Sequence, residues 1–163
     1  MIKIVAITHY LFAAACSRYF IKKDWQSWAD KQISKRNEPE SWLIDVSLAS
    51  NIEELSKFLS DLMILEKCNE QETALFSNAV IGYYYLMYLS KKTSLSELLL
   101  MSGDEADGGL GATKTCEEFY EIQNQLKVNQ ALEKDPVFNE MITELYKPFK
   151  ELAEKQKEIL ANF

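Results

Sequence analysis

Apolar residues recur at steps of three and four along nearly the whole chain, and this spacing predicts helices throughout. Ile4, Ile7, Leu11, Ala14, Ala15, Arg18 and Tyr19 fall on one such series, on a segment apolar enough to form a buried first helix. Asp24 starts a short helix with Trp25, Trp28, Ala29 and Ile33 on one side and Lys31, Lys35 and Arg36 on the other. The stretch NEPESW ends it and opens the next, with Pro39 suited to a helix first turn. Asn51 precedes the amphipathic series Ile52, Leu55, Phe58, Leu59, Leu62 and Leu65, and a long helix is predicted from Asn69 through Ser90. Ser94 caps LSELLLM, and two last helices are expected at roughly 115–133 and 136–161. Pro136 fits the start of the second, and Pro148 is expected to kink it. Seven to eight helices without an internal repeat predict an all-α irregular bundle, with residues 1–163 forming a single globular domain.

The stretch SGDEADGGLGATKT, residues 102–115, holds four of the five glycines and interrupts this pattern. Asp104 to Asp107 spell the DEAD of helicases, and residues 111–115 nearly spell a phosphate-binding loop. The spacing defeats both readings. Thr113 stands where the second glycine of Gly-x-x-x-x-Gly-Lys belongs, and the two motifs overlap in reversed order. The stretch is expected to be a flexible acidic loop ending at a helix start in TKTCEEFYE, with no bound nucleotide.

Charge changes the picture next. The formal net charge is −7 and the isoelectric point about 4.9, which disfavours direct contact with nucleic acid and favours a basic protein partner. Two tracts concentrate the acid. Residues 104–121 carry Asp104, Glu105, Asp107, Glu117, Glu118 and Glu121 against Lys114 alone, net −5. Residues 37–72 carry nine acids, among them Glu38, Glu40, Asp45, Glu53 and Glu54, against Lys57 and Lys67, net −7. The first tract is the preferred binding surface and the second the reserve, because an acidic helix face also serves solubility alone.

Candidate chemistry is sparse. Cys16, Cys68 and Cys116 have no metal-ligand spacing and read as free thiols of a reducing cytoplasm. The one histidine, His9, lies in the apolar first segment and reads as a packed core residue rather than a catalytic base. No Glu-x-x-His pair is present for a di-iron site, so no metal, no cofactor and no enzymatic activity are expected. The run Lys3 to Cys16 has the outline of a lipoprotein signal, but His9 breaks its apolar core, and it is taken as a core helix. No apolar run reaches about 18 residues, so no membrane span is expected. In GYYYLMYLS, Tyr84 and Tyr88 share a helix face, while Tyr83 and Tyr85 point elsewhere.

The pair Trp25-x-x-Trp28, followed by PESWLIDVSLASNIEELSKFL at residues 39–59, resembles helical immunity proteins of bacterial polymorphic toxin systems, especially those of contact-dependent growth inhibition. The resemblance spans about a quarter of the chain and centres on Pro39-x-x-Trp42-Leu43-x-Asp45. It implies a cytoplasmic protein that binds the toxin domain of its own system and blocks it, the toxin often being a basic nuclease. The family varies too widely for contact residues to be carried over, so the site residues above rest on charge. The alternative expectation is a helical adaptor or regulatory module that binds its partner through apolar and tyrosine surface.

Overall fold

The computed structural model describes residues 4–65, 70–109 and 112–163. The protein is all-α. Among the described residues there are eight α-helices and no strand: α1 (Ile4–Cys16), α2 (Lys22–Ser34), α3 (Ser41–Leu48), α4 (Ile52–Leu65), α5 (Glu70–Leu89), α6 (Leu95–Gly108), α7 (Cys116–Val128) and α8 (Pro136–Asn162). A short 3-10 helix, Gln130–Lys134, joins α7 to α8. The chain gathers into two compact units, residues 1–72 with 156–163, and residues 73–155.

In the first unit, α1 packs on α4, and α3 packs on both α2 and α4. The period-3.6 stripes meet in a core of Ile7, Leu11, Trp25, Trp28, Trp42, Leu43, Val46, Leu55 and Leu59, joined by Leu160 from the end of α8. Buried indoles need a partner for their one donor. Trp25 Nε1 donates to the Ala49 carbonyl at 3.2 Å, and Trp28 Nε1 donates to the Leu160 carbonyl at 2.8 Å. Phe163 stacks on Trp28 at 6.1 Å, and the Arg36 guanidinium lies 4.7 Å from the centre of the Phe163 ring, a cation–π contact. His9 is buried in α1 as expected of a core residue. That helix stops at Cys16, short of the Arg18 and Tyr19 in the predicted stripe, because Arg18 turns to a φ of 65° and the Phe20 amide returns to the Ala14 carbonyl at 2.8 Å.

The second unit is built on aromatic rings. Tyr85 stacks on Tyr146 with ring centres 4.8 Å apart, and Phe119 and Phe149 pack around them at 5.8 and 6.2 Å from Tyr146. Such pairs add about 1 kcal/mol each beyond the area they bury. The Tyr146 hydroxyl donates to Ser102 Oγ at 2.8 Å, and Ser102 donates to the Leu98 carbonyl at 2.7 Å, so the buried phenol carries no unmet donor. Tyr83 is fully buried as well, whereas Tyr84 and Tyr88 are half-buried. Gly82 lets α5 approach α8, because a β-carbon there would collide with the Phe149 carbonyl oxygen. α5 closes after Leu89 with Lys91 at φ 60° and the Lys92 amide on the Met87 carbonyl at 3.0 Å, a non-glycine left-handed cap. α8 continues through Pro148. The expected helix over 115–133 is α7 followed by the 3-10 turn.

The expectation of a flexible loop from residue 102 is corrected. Residues 102–108 are the last two turns of α6. A complete capping box opens this helix, the Glu97 amide donating to Ser94 Oγ at 3.1 Å and the Ser94 amide to Glu97 Oε2 at 2.9 Å. Leu98, Leu99, Ser102 and Gly103 then carry a buried face past the point where the glycines begin. Gly103 serves packing rather than flexibility, since a β-carbon there would run into the Tyr120 ring. The helix ends where the Gly109 amide bonds the Glu105 carbonyl at 2.8 Å. Leu110 and Gly111 lie outside the described residues, as do Asn69 at the start of the predicted fifth helix and Cys68.

Candidate functional site

α6 and α7 pack side by side, joined by a short connection. This brings the end of α6 against the start of α7 and gathers five of the six preferred acids on the surface there. Asp104, Asp107, Glu117, Glu118 and Glu121 are exposed. Asp104 Oδ1 accepts a hydrogen bond from the Tyr120 hydroxyl at 2.7 Å, which pushes the Tyr120 phenol up to about 12, with desolvation and the Asp104 and Asp107 charges acting in the same direction. The Cys116 thiol lies 3.3 Å from Glu117 Oε2 and 3.8 Å from Asp107 Oδ1. Desolvation first, then the hydrogen bond to Glu117 and the charges of Glu117 and Asp107, raise the Cys116 pKa.

Glu105 and Glu118 are engaged by the fold as well. Glu105 is half-buried and accepts a hydrogen bond from Ser77; burial outweighs that bond and raises its pKa. Glu118 takes the Thr115 amide at 3.2 Å and pairs with Lys114 at 3.8 Å, which also engages the single base of the tract. Asp104, Asp107, Glu117 and Glu121 are exposed and have no ion pair among the described residues, although Asp104 holds the Tyr120 hydroxyl and Glu117 the Cys116 thiol. The Thr113 amide, which a phosphate loop would offer to its ligand, donates to Asn78 Oδ1 at 2.9 Å.

Their placement on the helices is informative. A helix carries partial negative charge at its C-terminal end. Asp104 and Asp107 nonetheless sit in the last two turns of α6, with no basic residue in the last turn. A carboxylate in the last turn costs stability on the order of 0.3–1 kcal/mol, so the fold gives no reason for Asp107, whereas Asp104, one turn earlier, ties α6 to α7 through the Tyr120 hydroxyl.

The reserve tract, in the first unit, is engaged differently. Glu40 pairs with Arg36 at 3.6 Å, Asp45 is half-buried, and Glu54 receives the Ser50 amide at 2.8 Å at the start of α4. That backbone hydrogen bond, assisted by the Ser50 side chain and the Lys22 charge, holds the Glu54 carboxyl below its usual value. Glu38 and Glu53 are exposed. Of the residues around Pro39-x-x-Trp42-Leu43-x-Asp45, Trp25, Trp28, Trp42 and Leu43 are buried, and Pro39 and Asp45 are half-buried.

Charge counting does not reveal a shallow, open groove, about 730 Å³ in volume, along one face of α7 and the 3-10 turn, with Glu117, Tyr120 and Glu121 towards one end and Val128 and Leu132 towards the other. Val128 is 89% exposed. Its signal in the sequence is the series Glu117, Glu121, Asn124, Val128, one face of a helix that runs from acid to apolar. Among the described residues no three His, Cys, Asp or Glu side chains are grouped to hold a metal ion, and no helix is long and apolar enough to cross a membrane. No protein-family model, no curated protein and no solved structure matches the chain.

Proposed function

We propose that the protein is an immunity protein, which binds the toxin domain of its own system and neutralises it by laying the α6–α7 acidic face over a basic active-site cleft. The observation that carries the reading is the unpaired acid at the end of α6. Asp107 opposes the helix dipole there, beside Asp104 and close to Glu117 and Glu121 on α7, none of them in an ion pair among the described residues. Carboxylates left without cations, one of them held at a cost to its helix, suit a partner that brings the cations. The resemblance of residues 39–59 to immunity proteins supports the same class, as does the net charge of −7. The partner is a basic protein, by this reading a nuclease domain met in the cytoplasm, and not nucleic acid, nucleotide or membrane.

The mechanism is steering followed by occlusion. Long-range attraction raises the association rate, and charge pairs that lose their water on docking slow dissociation, each coupling by roughly 1.5–7 kcal/mol. The test is reversal of Asp104, Asp107, Glu117 and Glu121 to Lys, with the toxin domain of the secreted protein encoded beside this one as ligand. Binding is expected to weaken by about a hundredfold or more and protection of toxin-expressing cells to disappear. Reversal of Glu151, Glu154 and Glu158, exposed along α8, is expected to leave both intact. Retained protection in the first variant refutes the proposal.

A further inference from the structure

We infer that the groove along α7 receives a cationic amphipathic helix of the partner, with basic side chains at the Glu117 and Glu121 end and apolar ones over Val128 and Leu132. This rests on the proposed function and specifies what part of the partner docks. The groove extends over the twelve residues from Glu117 to Val128 on one helix, roughly 16 Å from first to last, the length of about three turns of a second helix laid beside it. Its two ends differ in chemistry. At one, Glu117 and Glu121 are exposed, and the Tyr120 ring, held over Gly103 with its hydroxyl on Asp104, presents a fixed aromatic edge between them and α6. At the other, Val128 is almost fully uncovered beside Leu132, and Asn124 lies between the two ends.

A partner segment of the same period satisfies both ends only if its basic and apolar residues lie on one face, a turn or more apart. An apolar helix would strip water from the two carboxylates without replacing it, and an evenly basic one would leave Val128 in water. A second copy of this chain fits no better. Antiparallel pairing of two α7 helices would press Glu117 and Glu121 against the mate's Val128, and parallel pairing would set carboxylate on carboxylate.

The probe is a synthetic alanine-based helical peptide of about four turns, with two arginines one turn apart and two leucines on the following turns of the same face. Titration into the labelled protein is followed by NMR. Saturable shift changes centred on residues 117–132 are expected. A peptide of equal composition, with arginines and leucines on opposite faces, is expected to bind at least about tenfold more weakly. Val128→Ser, an exposed position given no new charge, is expected to weaken the first peptide by a similar factor with little effect on folding.

Equal binding of the two peptides, or indifference to Val128→Ser, refutes the groove inference and leaves only charge attraction. Shift changes spread over α8, or none at all, refute it too. Concentration-dependent changes at the same residues without peptide identify a second copy as the occupant and also overturn it. The proposed function is decided separately, because toxin protection in the charge-reversed protein depends on no peptide. Protection lost on charge reversal but indifferent peptide binding would mean that the acidic face acts without a helix in the groove.

Discussion

Glu53 and Glu54 stand in the first turn of α4, and Asp107 in the last turn of α6, so the same chemistry meets opposite ends of a helix dipole. At the start of α4 the field favours carboxylates, and Glu54 takes a free backbone amide as well. At the end of α6 the field opposes them and no base answers. Net charge hides this contrast, since both tracts are strongly negative. An acid that helps its helix is explained by folding, whereas one that burdens its helix calls for a reason outside the fold.

The largest expected effect compares equal chemistry in the two tracts. Reversing Asp107, Glu117 and Glu121 to Lys should weaken toxin binding by about a hundredfold, while reversing Glu38 and Glu53 should change it by less than about threefold. Surface plasmon resonance at two salt concentrations separates the outcomes. A greater loss from the second pair would transfer the binding surface to the first unit.

Single reversals should then move stability in opposite directions. Asp107→Lys removes an unfavourable charge and supplies a favourable one, so it should stabilise by about 0.5 kcal/mol or slightly more. Glu53→Lys does the reverse and should destabilise by a similar amount. Urea melts at low ionic strength measure both, and equal signs would break the comparison. A variant that gains stability while losing its partner is the signature expected of a residue kept for binding.

The smallest effects are in pH dependence. Glu54 is held below its usual 4.5 by the Ser50 amide, so its contribution to stability is present above that value and lost as pH falls through the lowered one. Glu105 is raised above 4.5 by burial, so folding favours its protonated form; that advantage is complete below 4.5 and lost as pH rises through the raised value. Glu54→Gln should therefore lower the melting temperature at neutral pH, and Glu105→Gln should raise it. Both differences should close on acidification, as thermal melts across the acid range would show. A Glu105→Gln variant less stable than its parent at neutral pH would mean that the Ser77 bond outweighs burial.

Most of the helical architecture was legible because its apolar stripes and caps are local signals. Ser94 with Glu97, Asn51 with Glu54 and Thr115 with Glu118 all show the spacing of a helix start, and each acid of these pairs is engaged there. That same spacing could have removed Glu54 and Glu118 from the candidate contacts. The end of α6 was misread because glycine has two uses, freedom and close approach. At Gly103 only the position of Tyr120 decides between them. The burial of Glu105 against Ser77 and the groove beside Val128 were equally hidden, since both depend on which helices become neighbours.

The tryptophans give the molecule an optical asymmetry. All three, Trp25, Trp28 and Trp42, belong to the first unit, while Tyr83, Tyr84, Tyr85, Tyr88, Tyr120 and Tyr146 belong to the second. Emission excited at the red edge, where tyrosine does not absorb, therefore reports on the first unit alone, while far-ultraviolet circular dichroism reports on helices in both. Superimposed on one denaturation curve, the two signals measure whether the units unfold as one. A ligand that docks on α7 carries its own new fluorophore if it contains tryptophan, against a second unit that has none.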